Sequence, residues 1–348
     1  VSLIKYLGSK RAMLPHLSKL AKASGAKTAL DLFTGTTRVA KELKTLGMQV
    51  TAVDTASYSE VFAKTWIELD SDLYDNSELD ESIRRLNSIP GESGYFTKTF
   101  CEDSRFFQPK NGERVDSIRN LIESDYSSSW LYYPLLSSLI LATDRVDSTT
   151  GQHMAYLKTW ARRSLKDMEL QNPGLVQGAG KAIRGDVSKV IMDLPTVEMA
   201  YLDPPYNQHR YFSNYHIWET LVRWDNPESY GIANKRIDCR DDSNKSDFNS
   251  KNTMANALGD LVENLNCEIL MMSYNNESWL SRKQLLDMCE KHERVEIVDF
   301  DYKRYVGSQI GVYNKTGEKV GTPGARRNLE HVVLAGPSKT VSRMLDAL

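Results

Sequence analysis

Asp203, Pro204, Pro205 and Tyr206 follow directly on the apolar run Met199-Ala200-Tyr201-Leu202. An acid that ends a buried strand is well placed for chemistry, because open α/β sheets bind their ligands at the carboxyl ends of the strands. Proline has no N–H and a fixed φ, so Pro204 and Pro205 make a stiff extended turn whose carbonyls can point into a site. Tyr206 offers a flat face for stacking. An aspartate carboxylate and the Pro204 carbonyl give two acceptors. They suit an exocyclic amine such as that of adenine, which has two hydrogens to bind and a lone pair to be freed from the ring. Proline-rich turns headed by an aspartate are common as plain structure. Four specified residue types after a buried strand favour a site.

Asp31-Leu32-Phe33-Thr34-Gly35-Thr36-Thr37 is the second candidate. Glycine after a strand lets a ligand approach the backbone, and the helix that follows presents free N–H groups. A strand–glycine–helix turn alone says little. Asp54, at the end of the next apolar run, adds an acid that can accept both ribose hydroxyl protons, which points to a nucleoside. No lysine follows the turn in the manner of a triphosphate-binding loop. The glycine pattern of dinucleotide dehydrogenases is also missing.

The elements that must carry these residues are legible as apolar runs and turns. TALDLF, a turn into VAKELKTLG, and MQVTAVD form a βαβ unit, which requires a parallel sheet and a right-handed crossover. VEMAYL, LNCEILMMSY, RVEIVDFDY and LEHVVLAG read as further strands, the last two as an antiparallel pair. Between Tyr58 and Gln177 the patterns ELDESIRRLNSI, SIRNLIESD and WLYYPLLSSLILATDRV are helical. The reading is an α/β Rossmann-like sheet with helices on both faces, formed by 1–57 and 178–348, with a mainly helical insertion at 58–177. Residues 225–252 are polar and rich in turn formers, a loop long enough to be functional.

The net charge is −2 over 348 residues, which does not by itself suggest a nucleic-acid partner. The charges are segregated, however. Residues 1–50 carry nine lysines and arginines against Asp31 and Glu42, whereas Glu68 to Glu81 is acidic. Such a pattern allows one basic face, though solvated helix surfaces would look the same. Cys101, Cys239, Cys267 and Cys289 lack metal or disulfide spacing and read as reduced thiols, consistent with a cytoplasmic protein that uses no metal. No run is long enough for a membrane span.

Together these motifs resemble the Dam-type, alpha-group adenine-specific DNA methyltransferases, in the family's order and over most of the chain. The opening element of that family resembles Lys5-Tyr6-Leu7-Gly8-Ser9-Lys10-Arg11. The resemblance implies S-adenosylmethionine as cofactor, held by Tyr6, Lys10, Asp31, Phe33, Gly35, Asp54 and Asp186. It implies catalysis by Asp203, Pro204, Pro205 and Tyr206 on adenine N6 in double-stranded DNA. The target base would be extruded and stacked between Tyr206 and Tyr211 or Phe212. The middle segment would recognise the DNA site. Lys5, Arg145, Lys235 and Arg236 are candidate DNA contacts, with Arg162, Arg163 and Arg240 behind them. A monomer is expected, and a restriction endonuclease acting on the same site is a possible partner. One position departs from the family, where Thr37 replaces the second glycine of the cofactor turn. Cytosine N4 or an RNA amine as acceptor, and a non-catalytic DNA-binding subunit, are the alternatives.

Overall fold

The computed structural model describes residues 3–205, 208, 210–275, 278–303 and 327–348. Seven strands form one sheet: β1 (Thr28–Leu32), β2 (Gln49–Asp54), β3 (Lys181–Arg184), β4 (Val197–Leu202), β5 (Cys267–Asn275), β6 (Arg294–Lys303) and β7 (Arg327–Gly336). Their order is β3-β2-β1-β4-β5-β7-β6. The first five are parallel, and β7 runs antiparallel to both β5 and β6. The expected antiparallel terminal pair is therefore present, inserted with its second strand inward.

Alternation along the strands feeds two cores. Ala29, Val50, Ala52, Met199 and Tyr201 face one apolar cluster, and Leu30, Leu32, Val53, Ala200 and Leu202 face the other. A sheet buried on both sides explains why these strands read as nearly continuous apolar runs. On the first face lie α1 (Leu14–Ser24), α2 (Arg38–Thr45) and α3 (Ser57–Ala63), contributing Leu17, Leu20, Val39, Tyr58 and Phe62.

From α3 to β3 the described chain contains helices and two isolated bridges, Asp70 with Val176 and Thr149 with Tyr156. The main helices are α4 (Asn76–Ser88), α5 (Pro109–Tyr126) and α6 (Tyr132–Arg145). Every residue of α6 from Pro134 to Asp144 is buried, as a helix apolar on all sides requires. The boundary read at residue 58 falls inside α3, whose Tyr58 and Phe62 pack under the sheet. No helix among the described residues is long and apolar enough to cross a membrane.

Register fixes where the site must be. Leu32 lies opposite both Val53 and Leu202, so Asp54 and Asp203 each emerge one residue past the same rung. Asp54 pairs with Arg184, which brings Asp186 to that edge as well. The chain passes from β1 outward to β2 and β3, then returns to place β4 on the other side of β1. The edge beside β1 and β4 is thus a topological switch point, where such sheets take their ligands.

Candidate active site

A cavity of about 390 Å³ opens at this edge. Its lining includes Tyr6, Lys10, Asp31, Phe33, Gly35, Asp54, Asp186, Asp203, Pro205, Tyr211 and Phe212. Residues scattered over two hundred positions thus meet in one place. Pro204 lies between two of them but does not line the cavity. Tyr206 lies outside the described residues.

The turn after β1 explains the glycine motif. Phe33, Gly35 and Thr37 have φ of 66°, 54° and 60°, so alternate residues sit in the left-handed region. Gly35 bears no strain there, and a Cβ on it would stand 3.1 Å from the Tyr6 ring. Thr37 is the departure from the family pattern, and the geometry shows what glycine spares at that position. Thr37 is fully buried in a left-handed conformation, and its hydroxyl has no hydrogen-bond partner among the described residues. Phe33 is fixed from outside by Phe248, edge-on at 4.8 Å.

Asp54 accepts the Gly35 N–H at 2.8 Å and the Ala56 N–H at 2.9 Å, which lock the acid to the turn. Burial raises its carboxyl above the ordinary value despite those bonds. Asp186 caps the short helix that follows it, accepting the Ser188 N–H at 3.1 Å. Asp31 accepts from the Thr34 hydroxyl at 3.0 Å and the Ala40 N–H at 2.8 Å, both on Oδ2. Its buried Oδ1 has no hydrogen-bond partner among the described residues. Burial pushes this carboxyl up to about 8, against the pull of the two donors. A cation entering the cavity would find there an acceptor with nothing else to bind.

Tyr6 forms an aromatic floor. Its ring stacks on Tyr215 at 4.6 Å and on Tyr211 at 5.3 Å, and its hydroxyl meets that of Tyr58 at 3.3 Å. The Tyr215 hydroxyl accepts the Leu7 N–H at 2.6 Å and pins the opening segment. Tyr211, expected as a wall for a base, thus spends a face on Tyr6. Phe212 carries the Arg223 guanidinium 5.2 Å from its ring centre.

Lys10 lies between the two halves of the site. Its ammonium is 2.7 Å from Asp203 Oδ1 and 2.7 Å from Glu330 Oε1. Burial raises the Asp203 carboxyl to about 6, with Lys10 pulling down and Glu330 pushing up. Lys10, expected on the cofactor, is held by carboxylates on the catalytic side of the cavity. Glu330, Tyr215 and Tyr58 were not visible as site residues in the sequence. Glu330 alone left a trace, as an acid inside the apolar strand LEHVVLAG.

The candidate DNA contacts divide. Arg236 is 2% exposed, donates to both oxygens of Asp225 at 2.7 Å, and also reaches Asp238. Lys5 is 2.7 Å from Asp144 and 3.2 Å from Asp147. Both are paired with carboxylates inside the protein. Arg163 is likewise bound to Asp147 and the Thr149 carbonyl at 2.6 Å. Arg145 is half-buried and donates to the Glu169 carbonyl. Lys235 is half-buried, Arg162 is exposed, and Arg240 lies over the Tyr230 ring at 4.0 Å. The polar segment 225–252 is not a plain loop. It holds a small hairpin, Ser229–Tyr230 with Lys235–Arg236, and three short 3-10 turns, and Asn244, Lys245, Ser246, Phe248 and Asn249 line the cavity.

Comparison with known proteins bears on this cavity. Modification methylase StsI of Streptococcus sanguinis is 31% identical over 328 residues, covering 88% of this chain and 50% of that protein. Type II methyltransferase M.NlaIII of Neisseria lactamica is 26% identical, covering 87% of this chain and 92% of that protein. Type II methyltransferase M.FokI of Planomicrobium okeanokoites is 28% identical, covering 87% and 50%. The chain thus spans about half the length of StsI and M.FokI and nearly all of M.NlaIII. The model of D12 class N6 adenine-specific DNA methyltransferases matches residues 6–288, a stretch that includes every cavity-lining residue named above; Glu330, which contacts the site through Lys10, lies beyond it. The chain belongs to the D12 class N6 adenine-specific DNA methyltransferase family.

Proposed function

We propose that this chain transfers a methyl group from S-adenosylmethionine to N6 of an adenine extruded from double-stranded DNA. The observation that carries the reading is the shared edge: Asp203 stands one rung past β4 in the same cavity as Gly35 and Asp54. The cavity suits the cofactor by its own chemistry. Asp54 is tethered to accept two hydroxyls, Asp186 keeps a second oxygen for a base edge, and Asp31 presents a buried oxygen without a partner to a cation. The bound cofactor supplies a methyl group activated by a positively charged sulfur.

The chain's own part is acceptance and positioning. Asp203, with the Pro204 carbonyl turned toward the bound base, would hold the two amine hydrogens and favour the pyramidal nitrogen. Transfer would form the new N–C bond and leave the electron pair of the C–S bond with the departing sulfur. The nitrogen then gives up one proton, for which Asp203 is the nearest base. Tyr206 and Phe212 are assigned the faces of the extruded base. Target recognition is assigned to the helical residues 58–177, and DNA backbone contacts to cations at the cavity mouth such as Lys189 and Arg210. A restriction endonuclease reading the same site would be the partner of such an activity, and the reading takes the enzyme as a monomer.

Asp203→Ala tests the assignment. The expected outcome is a loss of more than about 100-fold in kcat, with cofactor affinity measured by calorimetry changed by no more than about threefold. Methylation at near the wild-type rate would remove Asp203 from the mechanism.

A further inference from the structure

Glu330 lies on β7 opposite Asn275 of β5, wholly inaccessible to solvent and outside the residues matched by the family model. A glutamate buried on a strand is costly unless its charge is met. It is met by the Lys10 ammonium, and that nitrogen is shared at the same 2.7 Å distance with Asp203. One ammonium therefore serves two carboxylates, one of them the acid of the catalytic motif. We infer that Glu330 is a positioning residue for methyl transfer, holding Lys10 so that one oxygen of Asp203 is fixed and the other is left to the substrate amine. The inference rests on the adenine methyltransferase reading above.

The geometry gives the reason for a second carboxylate. Lys10 facing Asp203 alone would spend its full charge there and weaken Asp203 as an acceptor. Glu330 draws part of that charge away. Among the described residues, the charged and titratable groups facing Asp203 include Lys10, Glu330, the Tyr201 hydroxyl and, across the cavity, Asp31. The Tyr201 hydroxyl is already donated to Ser273 at 2.9 Å; burial raises the Asp203 carboxyl most, and Lys10 and Glu330 are the charged partners that adjust it in opposite directions. A purely structural Lys10–Glu330 link would anchor the opening segment to β7 and have no bearing on the pH dependence of turnover.

Wild type, Glu330→Gln and Glu330→Asp distinguish these roles, read by cofactor calorimetry, kcat and kcat/KM against pH, and carbon NMR of the aspartate carboxyls. In the wild type kcat/KM should rise with pH through about 6, as Asp203 of the free enzyme ionises. Glu330→Gln should bind cofactor within about threefold of wild type, lose about tenfold or more in kcat, and shift the acid limb down by about one pH unit. Glu330→Asp keeps the charge, so the limb should stay in place while kcat recovers in part. An unmoved limb with wild-type kcat in Glu330→Gln would overturn the inference. Should that variant fail to fold, an acid limb displaced in Glu330→Asp, where the charge is kept, would overturn it instead. If the wild type forms no N6-methyladenine, the functional reading fails. The NMR titration of Asp203 still decides the role of Glu330, by a downward shift in Glu330→Gln or by none.

Discussion

On the proposed reading, Asp31 would couple cofactor binding to solution pH. With its carboxyl raised to about 8, it is mostly protonated at pH 7 in the unliganded protein. A cationic group placed against its free oxygen favours the ionised form, so binding should expel the proton. Calorimetric titration of S-adenosylmethionine at pH 7, in two buffers of different ionisation enthalpy, should show release of most of one proton, fading above about pH 9. Asp31→Asn should abolish the release and weaken binding by about 1.5–3 kcal/mol, as for a lost charge-assisted bond. Binding without proton release would place the cation elsewhere. The same shift bears on stability. The folded carboxyl holds its proton while the unfolded one, near 3.8, has released it, so the unliganded protein loses stability as pH rises from about 4 to about 8.

Thr37 is the other residue with a definite prediction. A β-branched side chain in the left-handed region costs about 1–2 kcal/mol, and its buried hydroxyl gains no bond in return. Thr37→Gly should therefore raise stability by about 1 kcal/mol in urea titration without weakening cofactor binding. A lower midpoint would mean that the packing of the threonine methyl outweighs the strain. The substitution for glycine was legible in the sequence. Its cost was not, because only the fold shows that positions 33, 35 and 37 alternate in handedness.

At the scale of elements, charge was the least readable property. Lysines and arginines advertise DNA contacts and internal staples with the same letters. Arg236 joins the small hairpin to Asp225 and Asp238, while Arg223, on the helix His216–Arg223, reaches Asp238 at 3.1 Å and Glu219 at 3.2 Å. The hairpin, that helix and the cavity rim form one braced unit. Arg236→Ala would strip Asp225 of its partner and leave Asp238 to Arg223 alone, so it should destabilise the protein by about 1–3 kcal/mol. The salt dependence of DNA binding should stay unchanged. A reduced salt slope with wild-type stability would return Arg236 to the DNA surface. The strands were legible because burial on both faces makes them apolar runs. The helices of the middle segment were legible by periodicity. The folding of 225–252 over the cavity was hidden, since its ordering depends on Phe248 reaching Phe33, which is far away in sequence.

Across the whole molecule, the two acids that end β2 and β4 could be paired from the sequence because a parallel sheet puts all such ends on one edge. What could not be read was the contribution of β7. It runs backwards between β5 and β6 and delivers Glu330 to Lys10 from 320 residues away. No local pattern encodes a contact of that range. On the proposed reading, this edge of the sheet methylates adenine in DNA. The most direct measurement is modified-base sequencing of DNA from a host without adenine methylation that expresses the chain, with Asp203→Ala expressed in parallel. The account predicts N6-methyladenine at a recurring short sequence with the wild type and none with Asp203→Ala. Methylcytosine in place of methyladenine, or equal adenine methylation by both proteins, would contradict it.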